Sequence, residues 1–177
     1  MLLLLILLAA LPLLLKTPDT VQRATHPLRY EGLIRAQSER YDLEPTFVAG
    51  VVYTESRFKP DVQSHQGAYG LMQILPQTAD FISERGGIKG DYRDPRTNLK
   101  MGIWYLDYLD ERYLGDERLM LAAYNSGEGR VDEWISDKGF DVGKDIPFQE
   151  THEYVDNVLQ AQQTYEDLYG RNLDRRP

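Results

Sequence analysis

Pro45-Thr-Phe-Val-Ala-Gly-Val-Val-Tyr-Thr-Glu55-Ser56 is the stretch on which the reading of this chain turns. Proline suits a first helical position, because the N–H it lacks would have had no partner there. Phe47, Val48, Val51 and Val52 recur at helical offsets and form one apolar stripe. Glu55 stands four residues after Val51, three after Val52 and seven after Val48, so it falls on the same stripe. Pro60 disfavours helical geometry at Lys59, which ends the helix soon after Glu55. An acid is therefore expected on the inner face of a helix, near its C-terminal end. Burial disfavours its ionised form, and so does the negative end of the helix dipole. A carboxylic acid that keeps its proton near neutral pH is what protonation of a glycosidic oxygen requires. The competing placement turns Glu55 outward to pair with Arg57 or Lys59. The stripe alone leaves both open.

Outward from this helix, the chain reads as short helices cut by Gly and Pro. Pro27 fits a first helical position for a segment running to Tyr41, with Leu28, Leu33 and Ile34 among charges. A loop from Lys59 to Gly67 leads to a short helix around Gly70–Ile74, and Pro76 opens another to Arg85. A long helix is expected from Arg96 to Tyr113, carrying Leu99, Ile103 and Leu106 at helical spacing. Leu119–Tyr124 and Val131–Ile135 follow, hinged on Ser126-Gly127 and Gly129. The last helix, Phe148 to Tyr169, has Tyr154, Val155, Val158, Leu159, Tyr165 and Leu168 on one broad face. No segment alternates apolar and polar residues as a half-buried strand would. The expected fold class is all-α: one domain over 27–170, of short helices around one core, with a polar tail at 171–177. A chain of 177 residues has room for one such core.

The first fifteen residues, MLLLLILLAALPLLL, are uncharged and apolar. They fall between a signal-peptide core and a comfortable spanning helix, and Pro12 would kink a helix near its end. The cations Lys16, Arg23 and Arg29 follow the run and none precedes it, which weakly opposes export. No small-residue cleavage site follows either. A retained N-terminal apolar helix, a signal-anchor over 1–15, is the preferred reading over a cleaved signal peptide. Either one delivers the rest of the chain to the far side of a membrane, an extracytoplasmic place in the cell envelope. Residues 16–26 are polar, contain a Pro and lack a period, so they read as a linker.

Composition excludes several functions. The net charge of −8, with no basic block, argues against a nucleic-acid partner. The absence of Cys removes disulfides, thiolate metal sites and thiol nucleophiles together. His26, His65 and His152 are too scattered to suggest a shared metal. Neither a metal nor an organic cofactor is expected. Two further segments suit a polar ligand. Ser64 to Gln73 is a tight Gly-rich turn, and Ala122-Ala123-Tyr124-Asn125-Ser126-Gly127 places an aromatic and an amide before a hinge. Plain chain punctuation explains the first as well, and a helix C-cap explains Asn125.

The order and spacing of four blocks resemble the soluble lytic transglycosylase family, whose lysozyme-like catalytic domain is related to goose-type lysozyme. The blocks are Glu55-Ser56-x-Phe58-x-Pro60 with Ser64-x-x-Gly67-Ala68-x-Gly70-Leu71-Met72-Gln73-Ile74-x-Pro76; Asp94-Pro95-x-x-Asn98-Leu99-x-x-Gly102; Ala123-Tyr124-Asn125-Ser126-Gly127-x-Gly129-x-Val131; and Ile146-Pro147-Phe148-x-Glu150-Thr151-x-x-Tyr154-Val155. The resemblance implies a substrate cleft with Glu55 as its catalytic acid and base. It implies that Ser64, Met72 and Gln73 line that cleft and contact sugars, and that Tyr124 and Asn125 orient the reacting unit. It places Glu150 near the active site and gives Tyr154 a cleft-lining position. The partner implied is the glycan strand of peptidoglycan, bound by a monomer and cut with formation of 1,6-anhydromuramic acid ends. Hydrolysis of the goose-lysozyme kind, with Glu150 or Asp61 positioning water, is the nearest alternative. A wall-binding module without turnover is the other.

Overall fold

Three helices open on proline at the positions where the missing N–H is not needed: Pro45, Pro76 and Pro95. A computed structural model describes residues 17–174 of the chain, and within them eight helices and no strand. These are α1 (Thr17–Thr25), α2 (Glu31–Arg40), α3 (Pro45–Ser56), α4 (Pro76–Arg85), α5 (Pro95–Tyr113), α6 (Glu117–Ser126), α7 (Glu128–Ile135) and α8 (Gln149–Tyr169). Two have side-chain caps of the ordinary kind. Asp94 accepts from the Thr97 N–H at 2.8 Å ahead of α5, and Asp116 accepts from Arg118 and Leu119 ahead of α6.

The core forms around α3. Nine of its twelve residues are buried, so the apolar stripe read from the sequence is only part of a helix enclosed on nearly all sides. Helix α8 runs against it, burying Val155, Val158 and Tyr165, and α2 covers another flank with Ile34. The two long elements meet at Gly50. A Cβ there would lie 2.9 Å from the Val158 carbonyl oxygen and 3.0 Å from the Gln162 nitrogen, both backbone atoms. Only a residue without a side chain lets α3 and α8 approach this closely. The approach also sets Glu55, near the end of α3, against Tyr154, one turn into α8.

Three sequence expectations change. Residues 70–74 form a turn instead of a helix, because Gly70 and Gln73 both have positive φ (85° and 48°). Tyr69 there exchanges backbone hydrogen bonds with Ile74 at 3.0 Å each way. Pro27 does not open a helix, and α2 starts at Glu31. The stretch read as a linker is helical over Thr17–Thr25 and leads into docked backbone. The Tyr165 and Tyr169 hydroxyls donate to the Pro27 and His26 carbonyls at 2.8 Å, Arg23 bonds the Leu168 carbonyl, and the His26 ring stacks on Tyr53. Those contacts come from α3 and α8, far away in sequence, so local composition does not announce them. Leu173, in the expected polar tail, is buried. The apolar run 1–15 lies outside the described residues, among which no helix is long and apolar enough to cross a membrane.

An Ala placed in a helix in place of Gly ordinarily stabilises it by about 0.5–1 kcal/mol. At position 50 the sign should reverse. Gly50→Ala has no flexible side chain to displace, only the α8 backbone, and a net loss of about 1–2 kcal/mol is expected from overpacking. Urea unfolding of the two proteins measures it.

Candidate active site

Glu55 is the penultimate residue of α3 and opens onto a cleft of about 760 Å³. The walls are the 64–75 loop, the end of α6, Arg130 at the start of α7 and the segment leading into α8. Its Oε1 accepts a hydrogen bond from the Tyr154 hydroxyl at 2.7 Å. Part of the residue reaches the cleft, while the rest of the carboxyl is surrounded by protein. This burial pushes the Glu55 pKa up from 4.5 to about 7, against the Tyr154 hydrogen bond, which lowers it. The outward placement is not adopted. Arg57 is left-handed (φ 52°) and holds its guanidinium 4.0 Å from the centre of the Tyr53 ring, and Lys59 is exposed. Neither pairs with Glu55.

The loop opposite Glu55 is held by groups behind it. Buried Ser56 bonds the Leu71 carbonyl at 2.8 Å, tying the loop to the end of α3. Asn98, fully buried on α5, is its main anchor: Oδ1 accepts from the Met72 N–H at 2.8 Å, and Nδ2 donates to the Tyr69 and Tyr92 carbonyls at 2.9 and 2.8 Å. An amide buried in this way has its hydrogen-bonding capacity nearly filled, so it fixes backbone firmly. Gly70 lies so close that a Cβ would stand 2.6 Å from Asn98 Nδ2. Within the loop, Ser64 Oγ accepts from the Ala68 N–H at 3.0 Å. Gln73 Nε2 donates to the Val62 and Gly70 carbonyls at 3.0 and 2.9 Å, which leaves its Oε1 as the acceptor without a protein partner among the described residues.

On the facing wall, the Tyr124 hydroxyl donates to the Met72 carbonyl at 2.8 Å, and its ring lies 5.6 Å from that of Tyr105. Burial keeps Tyr124 and Tyr154 well above the ordinary tyrosine pKa, so both stay neutral donors. Asn125 is exposed in the cleft, its Oδ1 accepting from the Thr151 hydroxyl at 2.8 Å. Ser64, Gln73, Tyr124, Asn125 and Glu150 all join Glu55 in lining the cleft. Two expected lining residues do not. Met72 buries its side chain completely against Gly102, whose added Cβ would meet Met72 Sδ at 2.4 Å, and only its backbone serves the site. Tyr154 lies beneath Glu55, buried, and reaches the cleft only through that carboxylate. Asp61 is exposed and outside the cleft, whereas Glu150 lines it.

Asn98, Thr151, Arg130 and Phe148 were not singled out for the site by sequence reasoning. Asn98 and Thr151 stand inside the quoted blocks, but a buried amide and a buried hydroxyl carry no signal of what they bond until the chain is folded. Among the described residues, no group of three or more His, Asp and Glu is arranged to hold a metal ion.

Residues 32–146 match the family described as Transglycosylase SLT domain. The soluble lytic murein transglycosylase of Salmonella typhimurium is 33% identical over 82% of this chain, and that of Escherichia coli K12 is 32% identical over 81%. The chain spans about a quarter of the length of either relative, 24% in each case. The membrane-bound lytic murein transglycosylase C of Haemophilus influenzae is 33% identical over 79% of this chain and 40% of its own. The crystal structure of the 70 kDa soluble lytic transglycosylase of Escherichia coli superposes with a TM-score of 0.80 at 31% identity, over 86% of this chain and 26% of that one. A complex of the 70 kDa soluble lytic transglycosylase with bulgecin A gives 0.79 at 32% identity, over 84% and 26%.

The raised pKa has a stability consequence. Between about pH 4.5 and 7 the folded protein keeps the Glu55 proton that the unfolded chain has released. Stability is therefore complete below that window and declines as pH rises through it. Glu55→Gln removes the penalty, so the variant should exceed the parent by about 3 kcal/mol at pH 8 and match it at pH 4. Urea unfolding at the two pH values checks this, and an equal difference at both would show that the carboxyl is not buried as described.

Proposed function

This chain belongs to the Transglycosylase SLT domain family, and from that premise we propose that it is a peptidoglycan lytic transglycosylase. It cleaves the β-1,4 bond between N-acetylmuramic acid and N-acetylglucosamine and leaves 1,6-anhydromuramic acid ends. The observation that carries this reading is the largely enclosed carboxyl of Glu55, protonated up to about neutral pH and facing an open polar cleft. Proton donation to a leaving oxygen needs an acid of this kind. Glu55 protonates the glycosidic oxygen, and the bond to the muramic carbon breaks. The substrate's own acetamido oxygen supports the cationic carbon, which replaces the second protein carboxylate of ordinary glycosidases. Glu55, now ionised, takes the proton of the C6 hydroxyl, whose oxygen closes the anhydro ring. The Glu55 carboxyl ends the cycle protonated, as it began.

The surrounding groups have parts in this scheme. Tyr154 holds one carboxyl oxygen and stabilises the ionised intermediate state of Glu55. Gln73 and Asn125 offer an acceptor and a donor to N-acetyl or hydroxyl groups, and Ser64 and Tyr124 shape the wall between them. The catalytic domain is assigned to residues 27–170, acting as a monomer. Residues 1–15 serve as a signal-anchor that holds it at the outer face of a membrane, in the cell envelope, where peptidoglycan lies.

Hydrolysis is the second reading, favoured by one observation: Glu150 lines the same cleft and is a candidate to position water. Mass spectrometry of fragments released from purified peptidoglycan separates the two, because an anhydro end is one water lighter than a reducing end. Glu55→Gln should release at least about a thousandfold less, since one group supplies both the acid and the base; retained activity would refute the assignment. Activity should fall as pH rises through about 7. Tyr154→Phe removes the bond that lowers the Glu55 pKa, so its alkaline limb should move to higher pH.

A further inference from the structure

Among the described residues, Arg130 is the one permanently cationic side chain lining a cleft that otherwise contains the carboxyls of Glu55 and Glu150, in a protein of net charge −8. It is exposed and takes part in no ion pair or side-chain hydrogen bond among the described residues. Its guanidinium carbon lies 5.2 Å from the centre of the Phe148 ring, and that ring, itself 46% exposed, rests 5.8 Å from Trp134. An aromatic support of this kind restrains a planar guanidinium and leaves the N–H edge free for a bidentate acceptor. Carboxylates match that edge.

We propose that Arg130, supported by Phe148, is a subsite for carboxylate groups borne on the glycan, so that the cleft prefers acid-bearing strands to neutral ones. The proposal rests on the reading of this cleft as a peptidoglycan-cleaving site. Of the two sugars in that polymer, only N-acetylmuramic acid carries a carboxylic substituent, its lactyl group, which is either free or extended by a peptide with carboxylates of its own. A polymer of N-acetylglucosamine alone offers none. Arg130, in the first turn of α7, lines the same cleft as Glu55, Asn125 and Ser126, so the substituents of a strand bound there are the groups it can meet.

The test measures binding by calorimetry in the full chain carrying Glu55→Gln, so that no turnover intervenes, with and without Arg130→Gln. Three tetrasaccharides serve as ligands: alternating N-acetylglucosamine and N-acetylmuramic acid with free lactyl groups, the same sugar with peptide branches, and N-acetylglucosamine alone. Arg130→Gln should weaken at least one acid-bearing ligand about tenfold and the neutral one less than about twofold. Loss with the free lactyl ligand alone assigns the site to the lactyl carboxylate, and loss with the branched ligand assigns it to the peptide. Equal loss on all three, no loss on either acid, or no measurable binding of either acid overturns the proposal. Thermal melting confirms that the variant is folded. Release of soluble fragments by the unaltered chain is scored separately: Arg130-dependent binding without release sinks the lytic reading, and release with Arg130-independent binding sinks only this one.

Discussion

Keeping the Glu55 carboxyl out of bulk water, with a single hydrogen bond from Tyr154, sets a demand that the neighbouring helices meet. A carboxylate with no partner in such a place would be costly, and one fully neutralised by a cation would lose its proton too early. One neutral hydroxyl lies between those limits. It lowers the pKa without reversing the effect of burial. The distance that makes this possible is set by backbone packing at Gly50, where α3 and α8 approach too closely for a side chain between them. Core packing and acid strength are thus one problem here: whatever separates the two helices also loosens the Tyr154 bond.

The second demand is a stationary wall opposite the acid. A loop with positive-φ positions at Gly67, Gly70 and Gln73 has no regular hydrogen-bond ladder to hold it. It is fixed from behind by side chains, chiefly the amide of Asn98 and the hydroxyls of Ser56 and Tyr124. Each bonds loop backbone from a different helix, so α3, α5 and α6 all converge on residues 69–72. Gln73 spends its amide N–H groups on the same task and retains its carbonyl oxygen for the cleft. The loop faces the cleft on one side and is anchored to three helices on the other.

Several features were legible before folding because they depend on short-range rules. Proline at a helix start, helical spacing of apolar residues and the place of Glu55 three and four residues after Val52 and Val51 all follow from backbone geometry. They led to an all-helical domain and to an inward acid, and the four blocks of motif residues led to the family. Two segments depart from these rules, the first for a local reason and the second for a distant one. Gly70–Ile74 looked helical by composition, but two positive-φ residues within five end any helix. The polar segment at 17–26 looked free because its partners, Leu168, Tyr165 and Tyr169, lie some 140 positions away.

By itself, then, the order of residues determined the proline-opened and longer helices and which face of α3 carries the acid, since those choices depend on neighbours within one or two turns. Tertiary structure alone decided that Tyr154 is the partner of Glu55, that Met72 faces the core while its backbone serves the cleft, and that Arg130 rests on Phe148. Each is a contact between residues separated by many helical turns or by whole elements. Hydrogen-bond partners and solvent exposure are properties of such contacts, and no local pattern encodes them.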